Sequence, residues 1–231
     1  MARQQRLELR LPPHYHYGDW VRHGGVEAAC ARLALWLIEG GNLWLTSTDI
    51  AGKTHLLHAL AAEHPALGVV AADDELPAPQ QVQQWLERLS PFPWWAVDLP
   101  AGPMPRPKGI ALFHLFERAR EQHRPLLLAW RGDAATLPPE LSSRLATMLR
   151  AEMAPPQSDG DLRAVLRSAA ALRQWQLPDE AIDLLLRQLP RQLPELLAAL
   201  DHLDRSSMEE RQRPARLLQQ LNRQIELWRE E

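Results

Sequence analysis

The stretch Asn42-Leu43-Trp44-Leu45-Thr46-Ser47-Thr48-Asp49-Ile50-Ala51-Gly52-Lys53-Thr54-His55-Leu56-Leu57-His58-Ala59 constrains the fold more than any other. It passes from an apolar strand, through a tight loop ending in Gly-Lys-Thr, into a helix. Backbone N–H groups around such a loop cradle phosphate oxygens. In this layout the Lys53 ammonium reaches the outer phosphates. The Thr54 hydroxyl holds Mg²⁺ at a helix N-terminus, where the dipole favours anions. The full pattern is Gly-x4-Gly-Lys-Ser/Thr, and Ser47 stands at its first glycine. Gly-Lys-Thr alone is common; the strand before it and the helix after it make it a phosphate-binding loop. Its candidate nucleotide contacts are Ser47, Asp49, Ile50, Ala51, Gly52, Lys53, Thr54 and His55.

Apolar strands are expected at 67–72, 92–99 and 125–130, and helices at 26–38, 53–64, 82–89, 110–122 and 140–150. The face of the 110–122 helix is read as Leu112, Phe113, Phe116 and Ala119. Strands alternating with helices predict an α/β fold, a parallel sheet between helical layers. The strand at 92–99 ends in Asp98, which such a strand delivers beside the phosphate loop to hold the Mg²⁺ shell with Thr54. A second carboxylate, the one that polarises attacking water in hydrolytic proteins of this kind, is replaced by Leu99, which cannot act as a base.

Beyond residue 155 the strand signal stops. Residues 154–160 read as a linker, and amphipathic helices follow at 162–175, 178–188, 194–204 and 215–228. The expected organisation is an N-terminal segment (1–24), a nucleotide-binding core (25–155) and a helical lid (160–231).

Ahead of the core, Leu7, Leu9 and Leu11 alternate with Arg6, Glu8 and Arg10. Such a segment is an edge-docked tail or a peptide offered to a partner. Tyr15, Tyr17 and Trp20 either line a base pocket or form a seam against the first helix. His14, His16 and His23 lack metal-ligand spacing and are expected at the surface. Cys30, the single cysteine, permits no intrachain disulfide and fits a reducing cytoplasm. A net charge of −3 argues against wholesale nucleic-acid wrapping. No stretch approaches the ~20 apolar residues of a membrane helix.

With these residues in place, Gly52–Ala59 resembles the phosphate-loop helix of the DnaA-related AAA+ family. The closing run Leu196-Leu197-Ala198-Ala199-Leu200-Asp201-His202-Leu203-Asp204-Arg205 is similar to the Hda branch, the regulatory inactivators of DnaA. The resemblance implies an AAA+ core with a five-stranded parallel sheet, a helical lid, and ADP or ATP with Mg²⁺ between them. It also implies two partners, DnaA and the DNA polymerase sliding clamp (beta), in the cytoplasm at the nucleoid. Gln4 and Leu7, with Leu9, would form the clamp-binding peptide, here a partial match to Gln-Leu-x-Leu. Tyr17 and Trp20 would lie near the nucleotide. Arg144, otherwise a surface arginine, falls on the family's arginine finger and would act in trans on a neighbour's nucleotide; a homo-oligomer is compatible with that.

Three positions depart from the family pattern: Leu99, Trp130-Arg131 in place of a small polar sensor, and Pro194 in place of the lid's sensor arginine. They predict a protein that holds nucleotide, a diphosphate above all, with weak or absent hydrolysis. Other functions stay open: an ATPase that loads or remodels a helicase, the initiator itself, or a degenerate paralogue serving as adaptor or loader for another replication partner. An initiator would need a DNA-binding domain beyond the lid. The lid arginines Arg205, Arg211, Arg213, Arg216 and Arg223 are offset by Asp204, Glu209, Glu210 and Glu226, so no sequence-specific DNA binding is expected.

Overall fold

A computed structural model describes residues 20–72 and 76–204. Gln4, Leu7, Leu9, Tyr17 and the 215–228 helix lie outside the described residues. The order is α1 (Glu27–Glu39), β1 (Asn42–Ser47), α2 (Lys53–Glu63), β2 (Leu67–Ala71), α3 (Ala78–Leu89), β3 (Trp94–Asp98), α4 (Arg106–Glu121), β4 (Leu126–Ala129), α5 (Pro139–Thr147), β5 (Leu149–Met153), α6 (Asp159–Ala171), α7 (Asp179–Gln188) and α8 (Leu193–Asp204). The five strands form one parallel sheet in the order β2-β3-β4-β1-β5.

Successive strand residues point to opposite faces, so apolar runs feed two cores at once. Trp44, Trp95, Val97, Leu126 and Leu128 join the core under α3, α4 and α5. Leu43, Leu45, Ala96, Leu127 and Ala129 join the core under α1 and α2. Fully burying one such side chain is worth roughly 1.5–3 kcal/mol, and β1, β3 and β4 each contribute several. The lid has its own core, with Leu166, Ala170, Ile182, Leu185, Leu196 and Leu200 packed together.

Several elements differ from the sequence expectation. Residues 149–150 are not the end of a helix: α5 stops at Thr147 and the chain turns at once into β5 beside β1. Arg150 and Glu152 point outward while Ala151 and Met153 are buried. Charges on an outer strand discourage pairing with another chain, and they mask the strand signal. α3 and α4 begin a turn or more earlier than periodicity shows, because Pro79 and Pro107 sit in their first turns, where a missing N–H costs nothing. Phe113 is not on the buried face of α4; Leu112, Leu115, Phe116 and Ala119 are. The expected linker shortens, since the Ser158 hydroxyl accepts the Asp161 N–H and starts α6.

Candidate functional site

β1 lies inside the sheet between β4 and β5, and β4 separates it from β3. The loop after β1 therefore opens at the carboxyl edge of the sheet, where parallel α/β folds bind ligands. Ser47 closes β1 and is buried. Gly52 caps α2 with φ of 79°, a left-handed conformation that non-glycine residues resist. Lys53 Nζ donates to Ser47 Oγ at 2.7 Å. Serine at the first glycine position thus closes the loop through its hydroxyl. The Asp49 carboxylate accepts the Ile50 N–H at 2.6 Å and pairs with Arg131 at 3.2 Å.

Burial, then the nearby Arg131 guanidinium, pull the Lys53 ammonium down to about 8, while Asp98 opposes them. Asp98 ends β3 and is buried; Thr54 is exposed in the first turn of α2. The site thus has a desolvated cation, a buried carboxylate and a helix N-terminus, a donor set that fits a phosphate with an attendant Mg²⁺. Ser47, Gly52, Lys53 and Thr54 would hold the phosphates, and Thr54 with Asp98 the metal.

Beside the loop lies a cavity of about 180 Å³ between core and lid. Trp20, His23, Ile50, Ala51, Gly52 and His55 form its core side, and Val165, Leu172, Leu193 and Leu197 its lid side. The Trp20 indole Nε1 comes within 3.6 Å of the point a Gly52 Cβ would occupy. Of the loop contacts expected from sequence, Ile50, Ala51, Gly52 and His55 line this cavity, and Ser47, Asp49 and Lys53 make the loop's own bonds.

His23 corrects the sequence expectation. It is buried, only 6% exposed, and its Nδ1 has no hydrogen-bond partner. Burial lowers its pKa despite Asp161 nearby. Sequence shows a histidine next to glycines; in the fold it lines the cavity that Val165, Leu172, Leu193 and Leu197 of the lid share, more than 130 residues away.

Leu99 is buried in the core beneath α4. Trp130 is buried and stacks on Trp44, with centroids 6.1 Å apart, and its carbonyl accepts the Trp44 indole N–H at 3.2 Å. Arg144, on α5, is engaged away from the loop's bonds: its guanidinium is held by the Glu117 carboxylate of α4 and stands 4.3 Å over the Phe113 ring. The bond to Arg144, first of all, lowers the Glu117 pKa. The described helices include none long and apolar enough to cross a membrane, and the described His, Cys, Asp and Glu form no metal-holding group of three.

A phosphate-type loop on β1, an aspartate ending β3 and a helical lid packed beside the loop make up an AAA+ fold. Residues 159–215 match the family model "Hda, lid domain". That match covers the lid alone; for the core, the likeness to DnaA structures is one of fold. It resembles domain III of DnaA from Thermotoga maritima at 17% identity and a TM-score of 0.62, over 84% of this chain and 88% of that one. AMPPCP-bound DnaA from Aquifex aeolicus is similar at 18% identity and a TM-score of 0.57, over 87% of this chain and 67% of that one. The RuvB Holliday junction branch migration motor of Thermotoga maritima matches at 16% identity and a TM-score of 0.57, over 86% of this chain and 69% of that one. At these identities the solved structures establish a shared fold. The chain spans about two thirds of the length of the Aquifex aeolicus DnaA and of the RuvB motor.

Proposed function

We propose that this protein is an Hda-like regulator of replication initiation: it holds ADP or ATP between core and lid and stimulates ATP hydrolysis by DnaA together with the sliding clamp. The observation that carries this is the joining of an Hda-type lid to a phosphate loop whose Lys53 is already desolvated. The AMPPCP-bound DnaA of the same fold supports the nucleotide. Hydrolysis in its own site is weak or absent, because Leu99 offers no base. The nucleotide fixes core against lid; Lys53 and Thr54 are its main ligands, with Mg²⁺ held by Thr54 and Asp98. Gln4, Leu7 and Leu9 engage the clamp, and Tyr17 adjoins the base. Arg144 leaves Glu117 to reach the phosphates of DnaA, where a guanidinium stabilises transferring charge.

The test is phosphate release from ATP-loaded DnaA on DNA, with clamp and this protein added. Stimulation that disappears with Gln4→Ala/Leu7→Ala and with Arg144→Ala is the expected result. The partial clamp peptide favours a second reading, a degenerate AAA+ paralogue acting as adaptor or loader for another replication partner. Failure of both clamp pull-down and stimulation would select it.

A further inference from the structure

The cavity between core and lid contains a polar group that no motif accounts for. His23 lies in the turn before α1, and that turn is held on both sides. The Val26 N–H donates to the His23 carbonyl at 2.9 Å, and the Ala154 N–H, just past β5, donates to the Gly25 carbonyl at 2.8 Å. A Cβ on Gly25 would come within 2.6 Å of the Ala154 carbonyl oxygen, so the turn fits against the end of β5 with no slack. The imidazole therefore borders the cavity from a fixed point. It is 6% exposed, and its Nδ1 has no partner among the described residues.

The rest of the lining is of two kinds. Ile50 on the core side and Val165, Leu172 and Leu197 on the lid side present apolar walls. His55 and Ser168 are polar, and both already take part in other interactions. A closed apolar cavity of about 150 Å³ admits a benzene-sized ring, and this one is larger, about 180 Å³. A flat ring with apolar faces and a polar edge suits such walls, and His23 is the group that edge would meet. Burial keeps the imidazole neutral, against the attraction of Asp161 in the first turn of α6. A neutral imidazole has one N–H and one lone pair. Buried N–H groups without an acceptor are rarer than acceptors without a donor, which assigns the lone pair to Nδ1. Leaving that acceptor unpaired costs the free protein stability, and a ligand that donates to it recovers the cost.

We propose that His23 selects the base: its Nδ1 accepts a hydrogen bond from the exocyclic amine of adenine, and a ring with a keto oxygen at that place is rejected because two lone pairs would face each other. The inference deepens the nucleotide reading above and rests on it. It assigns the choice of base to one side chain in the turn before α1 and leaves phosphate affinity to the loop.

The test compares ADP with IDP, which carries a keto oxygen in place of that amine, on the full chain by calorimetry. The proteins are the wild type, His23→Leu, His23→Gln and Lys53→Ala. The wild type is expected to bind ADP roughly ten- to hundredfold more tightly than IDP. His23→Leu brings ADP down to the level of IDP and leaves IDP within about twofold of its wild-type affinity. His23→Gln keeps part of the preference, because its amide carbonyl also accepts. Lys53→Ala weakens both nucleotides by the same factor. A wild type that binds ADP and IDP alike, or a His23→Leu protein that keeps the preference for ADP, overturns the inference while the nucleotide reading stands. A wild type that binds neither, and is indistinguishable from Lys53→Ala, overturns both.

Discussion

Two arginines on the same domain meet opposite circumstances. Arg131, at the carboxyl edge of the sheet, pairs with one half-exposed carboxylate of the loop and lies near the Lys53 ammonium. Arg144, on the outer face of α5, is satisfied three ways: Glu117 binds it, the Glu140 carbonyl accepts its Nη1 at 3.1 Å, and the Phe113 ring lies beneath it. The first environment leaves its cation on a single ion pair open to solvent. The second holds its cation within the chain, so any action of Arg144 on a partner requires the partner's phosphate to outcompete Glu117. The Arg131 pair is open to solvent, whereas Arg144 must leave three partners before it can meet another group.

Arg144→Ala gives the largest expected effect, a loss on the order of a thousandfold in stimulated phosphate release by DnaA, read in a quench-flow assay. A variant that stimulates like the wild type would remove Arg144 from the comparison. Next is Leu99→Glu. Restoring the carboxylate by sequence does not restore catalysis, because position 99 faces the core. The buried charge should cost roughly 3–5 kcal/mol, measured by urea unfolding, with no gain in turnover. Gly52→Ala places a methyl group on a backbone at φ of 79° and should cost about 1–2 kcal/mol, along with phosphate affinity. Glu117→Gln sharpens the contrast by weakening the lock on Arg144: stimulation should rise severalfold, the result expected when one charge-assisted bond becomes a neutral one.

The smallest effect is a pH dependence. His23 has a lowered pKa in the fold, chiefly through burial. Above the unfolded value near 6.5 both states are neutral and His23 contributes no slope. As pH falls below that value the unfolded chain takes up a proton the folded chain refuses, so stability drops. The melting temperature should fall between pH 7.5 and 5.5, and His23→Gln should flatten that slope.

Much of this fold is legible in the sequence, for identifiable reasons. Strands buried on both faces are apolar throughout, so β1, β3 and β4 stand out, and each ends where Gly, Pro or Asp breaks the run. β5 escapes because an outer strand buries one face and carries Arg150 and Glu152 on the other. The Gly-Lys-Thr loop is legible because its chemistry is local. His23, the Arg131–Asp49 pair and the Arg144–Glu117 pair are not, because each depends on contacts between residues far apart in the chain. Arg131 was visible only as a departure from a family pattern; its partner needed the sheet order.

On the proposed reading, the loop holds nucleotide without turning it over. The most direct measurement incubates purified protein with ATP and separates bound nucleotide from released phosphate. Stoichiometric bound nucleotide that is lost with Lys53→Ala, and no phosphate beyond a single equivalent, is the expected result. Sustained turnover at the rate of an active AAA+ ATPase, abolished by Lys53→Ala, would contradict it.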